Sequence, residues 1–296
     1  MDDPTEILLC SDLDRTILPN GEAPESPVAR AVLRRIARRA EIRLVYVSGR
    51  NRKLIQDAIE NYRLPLPDFA IGDVGTTIYD LKKGSWNEWT AWNEEISKDW
   101  PEGGRDELAG KLSDMARLRL QEPEKQNRFK LSYYTDADID PARLVQRIRE
   151  RLEGRAVRVN VIWSVDEQRD VGLIDVLPER ANKVHAVKFL AENEGVSKKH
   201  VVYAGDSGND LAVMVSDIQS ILVRNAAEGV RREAREAVRK SGIEETLYEA
   251  KGGFLGMNGN YTAGVLEGLA HFLPVTREWI EKALVESESG TSPISR

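Results

Sequence analysis

Residues 203–214 read YAGDSGNDLAVM. The apolar run that leads into them, HVVYA at 200–204, has the composition of a buried strand. It stops abruptly at GDSGND, residues 205–210. Acidic and glycine-rich residues at a strand end suit a plain turn. They equally suit a place where a cation and a phosphate come close to the backbone. What else the chain supplies decides between the two.

The same layout recurs upstream. EILLCSD (6–12) is a short apolar run with a polar end. After the loop LPNGEAPE, Ser26 and Pro27 predict an N-cap and a first helical turn. Val28, Val32, Leu33, Ile36, Ala37 and Ala40 then repeat at helical spacing. IRLVYVSGR (42–50) reads as a second strand, and Leu54, Ile55, Ala58, Ile59 and Tyr62 as a second amphipathic helix. DFAIGDVGTTIYDLKKG (68–84) reads as strand, glycine bend and strand. From 182 onward the alternation returns: a helix over 182–194, the strand KHVVYAGD, a helix over 209–217 and the strand QSILVRN. Strands alternating with helices predict βαβ units and a parallel sheet.

The intervening stretch has another character. WNEWTAWNEEISKDW (86–100) is aromatic and irregular. A helix over 104–120, the strand FKLSYYTD (129–136), a helix over 141–152 and a hairpin of AVRVNVIWS with RDVGLIDVLP are expected to follow. The predicted fold is therefore α/β: a doubly wound, mostly parallel Rossmann-like core built from 1–84 and 179–285. An α+β cap domain is inserted at 85–178, and 286–296 is a polar, disordered tail.

Composition narrows the function. A net charge of -6 and a sequence pI near 5.4 argue against nucleic-acid binding. Cys10 is the only cysteine, so an internal disulfide is impossible and a reducing cytoplasmic setting is expected. No signal peptide and no membrane-length apolar run is read from the sequence.

Four polar pieces carry the chemistry: SDLDRT (11–16), VSGR (47–50), RANK (180–183) and GDSGND (205–210). Three end strands and one opens a helix. Ligands of open α/β sheets bind outside the carboxyl ends of strands, so the four are expected to converge on one crevice. Asp12 and Asp14 stand two apart, which points both to one side with Leu13 opposite. Close carboxylates repel unless a cation or a shared proton relieves them, and Asp206 and Asp210 add two more. Mg2+ is the natural relief, since it takes oxygen ligands from one or two carboxylates plus substrate phosphate. Ser48 and the amides after it, beginning with Gly49, form a phosphate cradle, and Lys183 can reach the same phosphate. Singly, each piece reads as a loop cap or a surface residue. Together and in this order they do not.

These pieces resemble the haloacid dehalogenase (HAD) superfamily of phosphatases, in the order DxDxT, strand-end Ser/Thr, Lys and GDxxND. Nearly the whole chain is similar to the sucrose-phosphate phosphatase subfamily, through SDLDRT, SGR, VGTTIY, FKLSYY, ANK, GDSGND, VRNA and AGVLEGLAHF. The resemblance implies an Mg2+-dependent phosphatase of a disaccharide phosphate, sucrose 6-phosphate first, acting through an aspartyl-phosphate. Mannosylfructose phosphate or a simpler sugar phosphate is the alternative, and a non-catalytic binding homologue is the competing class.

Carried over, Asp12 is the nucleophile. Asp14 protonates the leaving oxygen and then activates water. Asp12, Asp206 and the Asp14 backbone carbonyl hold the metal. Asp210 orients Lys183 or a metal-bound water, and Ser48, Gly49, Asn209 and Lys183 hold the phosphoryl oxygens. Asp14 needs a proton for its first task, and nearby negative charge is expected to keep it there. The resemblance also implies sugar contacts from Arg50, Gly75, Thr76, Lys130, Tyr133 and Arg180. Asp73, Thr76 and Thr77 depart from that subfamily's pattern.

Trp86, Trp89, Trp92 and Trp100 are expected to pack the cap against the core rather than stack on sugar. The arginines of 30–43 make one helix and its exit basic. They are read as a solvated face, with a glycosyltransferase as the partner such a face would otherwise dock. A monomer that binds no nucleic acid or membrane is expected. His185, His200 and His271 lack metal-ligand spacing and receive no role.

Overall fold

The computed structural model describes residues 6–100, 104–152, 154, 157–166 and 169–289. In chain order the first part runs β1 (Ile7–Ser11), α1 (Ala29–Ile36), β2 (Ile42–Val47), α2 (Arg52–Tyr62), β3 (Phe69–Gly72), β4 (Thr77–Asp80) and β5 (Asn87–Glu88). The middle part runs α3 (Thr90–Ser97), α4 (Gly104–Leu112), β6 (Arg119–Leu120), β7 (Leu131–Asp136), α5 (Pro141–Leu152), β8 (Val159–Asp166) and β9 (Val171–Pro178). The last part runs α6 (Lys183–Asn193), β10 (Val201–Gly205), α7 (Leu211–Met214), β11 (Gln219–Leu222), α8 (Glu228–Ser241), β12 (Leu247–Glu249), α9 (Thr262–Phe272) and α10 (Thr276–Glu288).

Eight strands form one sheet in the order β12-β11-β10-β1-β2-β3-β4-β5. Its first six are parallel, and β4 and β5 close one edge antiparallel. The chain leaves β1 toward β2 and β3 on one side and returns through β10 to β11 and β12 on the other. The order therefore reverses at the junction of β1 and β10, which is where a crevice opens in such a sheet. Strand β1 is apolar up to Ser11 and fully buried because helices cover both its faces. Leu8 and Cys10 face the layer that includes α6; Ile7 and Leu9 face the layer of α1, α9 and α10.

A second, antiparallel sheet has the order β6-β7-β9-β8. One face packs on α4 and α5 through Leu131, Tyr133, Ile174 and Val176. The same apolar cluster continues through Trp92 and Ile96 of α3 into Val45, Phe69 and Ile78 of the large sheet. Trp92 and Trp100 are buried in it, as expected of packing residues.

Several local expectations give way. Ser26 does not cap α1; its hydroxyl accepts Asn258 N–H, so a long-range partner has taken the cap's oxygen. The helix expected over 104–120 ends at Leu112, and Arg119–Leu120 pairs with β7 instead. Residues 87–88, expected within the insertion, form the edge strand of the large sheet. Residues 286–288, expected in a disordered tail, complete α10, while 290–296 lie outside the described residues. The basic helix is tied down: Arg30 pairs with Glu25, Arg35 with Glu286, and Arg39 lies over the Trp279 ring. Among the described residues no helix is long and apolar enough to cross a membrane.

Trp92 joins the two sheets and donates its indole N–H to the Gly75 carbonyl at 3.1 Å. Trp92→Ala is expected to destabilise the fold by about 3–5 kcal/mol. A denaturant midpoint within error of wild type would contradict that placement.

Candidate active site

The four polar pieces converge. Asp12, Asp14, Ser48, Gly49, Lys183, Asp206 and Asn209 line one cleft of about 680 Å³ at the carboxyl ends of the parallel strands. Asp12 follows β1 directly, and its backbone N–H still bonds across to Ala204 of β10. Its carboxylate accepts Leu13 N–H at 2.8 Å and stands 3.5 Å from Lys183 Nζ. Asn182 caps α6 by accepting His185 N–H, which fixes Lys183 at the helix start. The ammonium donates to Asp210 at 2.7 Å and to Asn209 at 3.3 Å.

Asp210 is the anchor beneath. It is fully buried and also receives Tyr203 Oη–H at 2.6 Å and the backbone N–H groups of Asp206 and Ser207. A Cβ on Gly205 would lie 2.6 Å from its carboxyl group, so glycine is what lets Asp210 fold back onto the strand end. Asp206 receives the Thr16 hydroxyl at 3.1 Å, with Arg15 at 3.5 Å on its outer side.

Carboxylate oxygens of Asp12, Asp206 and Asp210 lie within 4.8 Å of one another. Burial, with Asp210 and Asp206 adding to it against Lys183, pushes the Asp12 carboxyl well up. Burial and Asp210 push Asp206 up to about 6. Burial would lower the Lys183 ammonium, but Asp12 and Asp210 outweigh it and hold it charged. Three buried carboxylates against one ammonium form a donor set that suits a hard divalent cation. With Asp210 already saturated by donors, Asp12 and Asp206 are the carboxylates with oxygens to offer.

Asp14 corrects an expectation. Its carboxylate is gripped by Arg50 through two bonds of 2.6 and 2.8 Å, and Asn20 donates to it at 2.6 Å. Burial pushes its carboxyl up, but Arg50 and Asn20 outweigh that and hold it below the ordinary range. The negative charge expected to keep Asp14 protonated is directed at Asp12 instead. Asp14 itself sits in a cationic niche.

The predicted sugar contacts divide. Arg50 and Lys130 line the cleft. Tyr133 does not: period-two alternation turns it to the helix-packed face of β7, while Ser132 next to it bonds Asp175, which does line the cleft. Arg180 binds buried Asp99 at 2.7 Å and Glu95 at 3.3 Å, fastening the chain after β9 to α3. Gly75 and Thr76 lie behind the cleft wall, bonded to Trp92 and Asn127. Thr16 of SDLDRT lies beneath the site and Asp73 along its wall; the unforeseen members are Tyr203 beneath it and Asp175, Asn160 and Trp163 along its wall. Tyr203 alone carried a signal, since a hydroxyl inside a buried strand needs a partner.

Residues 5–273 match the model of the sucrose-6F-phosphate phosphohydrolase family. The chain belongs to that family. It is 55% identical to a protein of Nitrosococcus oceani described as a HAD-like hydrolase, over 95% of this chain and 76% of that one. It is 28% identical to the mannosylfructose-phosphate phosphatase of Agrobacterium fabrum, over 90% of this chain and 96% of that one. Its fold matches the sucrose-phosphatase of Synechocystis solved with sucrose and phosphate: TM-score 0.68, 25% identity, 90% of this chain and 98% of the other. As a member of this family, the chain is a HAD-fold sugar-phosphate phosphatase, a phosphoric monoester hydrolase.

Two outcomes follow. Gly205→Ala must displace Asp210 and with it Lys183. A shift near 1 Å predicts a loss of roughly 10²-fold in kcat, and wild-type turnover in a folded variant would refute the anchoring role. In chelator, Asp206 stays protonated in the folded chain up to about pH 6, against 3.8 ordinarily. The folded state then binds more protons than the unfolded one across that window, so the Asp206 contribution to stability falls as pH rises through it. The Tm of wild type minus that of Asp206→Asn should become more negative between roughly pH 4 and 6, and a flat difference would contradict it.

Proposed function

We propose that the chain hydrolyses the phosphate ester of a disaccharide, sucrose 6-phosphate first, with Mg2+ as cofactor and Asp12 as nucleophile. The observation that carries this reading is the cleft. Asp12 lies at its floor beside Lys183, and the space above it is far larger than phosphate needs. About 680 Å³, walled by Trp163, Asn160, Asp175 and Lys130, falls within the ~300–1,000 Å³ of small-molecule sites and has the amphipathic lining that sugars require. Mannosylfructose phosphate is the second reading, favoured by the 28% identity to the phosphatase named for that substrate.

Lys183, Asn209 and Ser48 hold the phosphoryl oxygens, and the four-stranded sheet acts as the cap over them. An Asp12 oxygen forms a bond to phosphorus as the bond to the sugar oxygen breaks, and that oxygen takes a proton from Asp14. Water then attacks the aspartyl-phosphate, gives its proton to Asp14 and frees Asp12. The Arg50 pair presents Asp14 in its base form, so the acid step requires that grip to be released. Asp12, Asp206 and the Asp14 backbone carbonyl would hold Mg2+, whose contribution is charge neutralisation at the phosphoryl group.

Phosphate release should therefore depend on Mg2+ and be highest on a disaccharide phosphate across sucrose 6-phosphate, mannosylfructose phosphate, trehalose phosphate and glucose 6-phosphate. Asp12→Asn should abolish it. Wild-type turnover by that variant would sink the nucleophile assignment, and equal rates across the panel would sink the substrate reading.

A further inference from the structure

One charged pair in the cleft belongs to neither the phosphate site nor the packing. Asp73 begins the short turn Asp73–Gly75 at the end of β3. Lys130 precedes β7 of the other sheet. Their side chains are each about 10% exposed, and Lys130 Nζ stands 3.8 Å from Asp73 Oδ1. Both line the same cleft as Asp12. Strand β3 is two strands from β1, so the turn lies roughly 10 Å to the side of the nucleophile. That is beyond the first ring of a sugar phosphate.

The turn is held in a costly conformation. Asp73, Val74 and Gly75 all take positive φ, of 51°, 62° and 94°. For Val74, a β-branched residue, this is an outlier, and such strain persists where surroundings impose it. The surroundings are visible: Asp73 N–H bonds the Arg50 carbonyl, Trp92 bonds the Gly75 carbonyl, and a Cβ on Gly75 would lie 2.9 Å from the Asn182 backbone. The Asp73 carboxylate is thus set rigidly against the wall that carries Lys130.

We propose that Asp73 and Lys130 together read a hydroxyl group on the distal part of the leaving group. At 3.8 Å the two are an ion pair but lie beyond direct hydrogen-bond reach of each other. An ionised carboxylate only accepts and an ammonium only donates, whereas a hydroxyl does both. One hydroxyl therefore satisfies both groups at once. A carboxylate or second phosphate there would be repelled by Asp73 and by Asp175 beside it. Because the pair is buried, leaving either group without its partner is expensive, which makes the choice sharp. The selected leaving group is polyhydroxylated and carries no second anionic group, and Trp163 offers it an apolar face.

This inference rests on the phosphatase reading, and its test separates the two. The quantity to measure is the ratio of kcat/KM on a disaccharide phosphate to kcat/KM on 4-nitrophenyl phosphate, whose leaving group carries no such hydroxyl. The disaccharide is sucrose 6-phosphate or mannosylfructose phosphate, whichever the wild-type chain hydrolyses faster. Asp73→Ala should lower the ratio ~10- to 100-fold, the loss expected for a hydrogen bond to a charged group. The double variant Asp73→Ala/Lys130→Met, which leaves no charge unpaired, should keep it low. An unchanged ratio in Asp73→Ala, or its recovery in the double variant, would make the pair a structural ion pair and overturn the assignment. A wild-type chain that cleaves 4-nitrophenyl phosphate but neither disaccharide phosphate would overturn the substrate reading and this assignment with it.

Discussion

Everything at this site depends on burying three carboxylates in one place without unfolding the chain. Asp12, Asp206 and Asp210 are each 6% exposed or less. The cost of removing that much charge from water is met by specific donors, not by general polarity. Lys183 supplies a buried ammonium between Asp12 and Asp210, Tyr203 and the turn amides saturate Asp210, and Thr16 binds Asp206. The remaining negative charge points into the cleft. Such a cluster, short of positive charge, suits a divalent ion and a phosphoryl group brought together.

The scaffold explains why these donors meet. Reversal of strand order at β1 and β10 brings Asp12 and Asp206 side by side from positions 194 residues apart in sequence. Helix α6 starts close enough for Lys183 to reach both partners, and the missing side chain at Gly205 lets Asp210 lie over the strand end. The second sheet contributes in a different way. Its helix-packed face is continuous with the apolar core, and its other face turns polar side chains toward the phosphate site. Both sheets thus line the cleft, and Trp92 joins them.

Legibility in the sequence followed the range of the interaction. The strand-end motifs were readable because nucleophile, lysine and acids each sit at fixed short offsets from an apolar run, and the run's periodicity sets the sheet. Tyr133 was misread because the side of the sheet it faces depends on the pairing of β7 with β9, not on its own neighbours. Arg180 was misread because its partner Asp99 lies 81 residues away. Ser26 lost its capping role to Asn258 for the same reason.

The sequence by itself determined the fold class, the four phosphate-site motifs and the convergence of those motifs, since local periodicity and strand-end placement encode all three. Tertiary structure alone decided the charge state of Asp14, which Arg50 sets from across the cleft, and the pairing of Asp73 with Lys130 between two sheets. Charge state and pairing depend on distance and burial in space, and neither distance nor burial is written in any short stretch of chain.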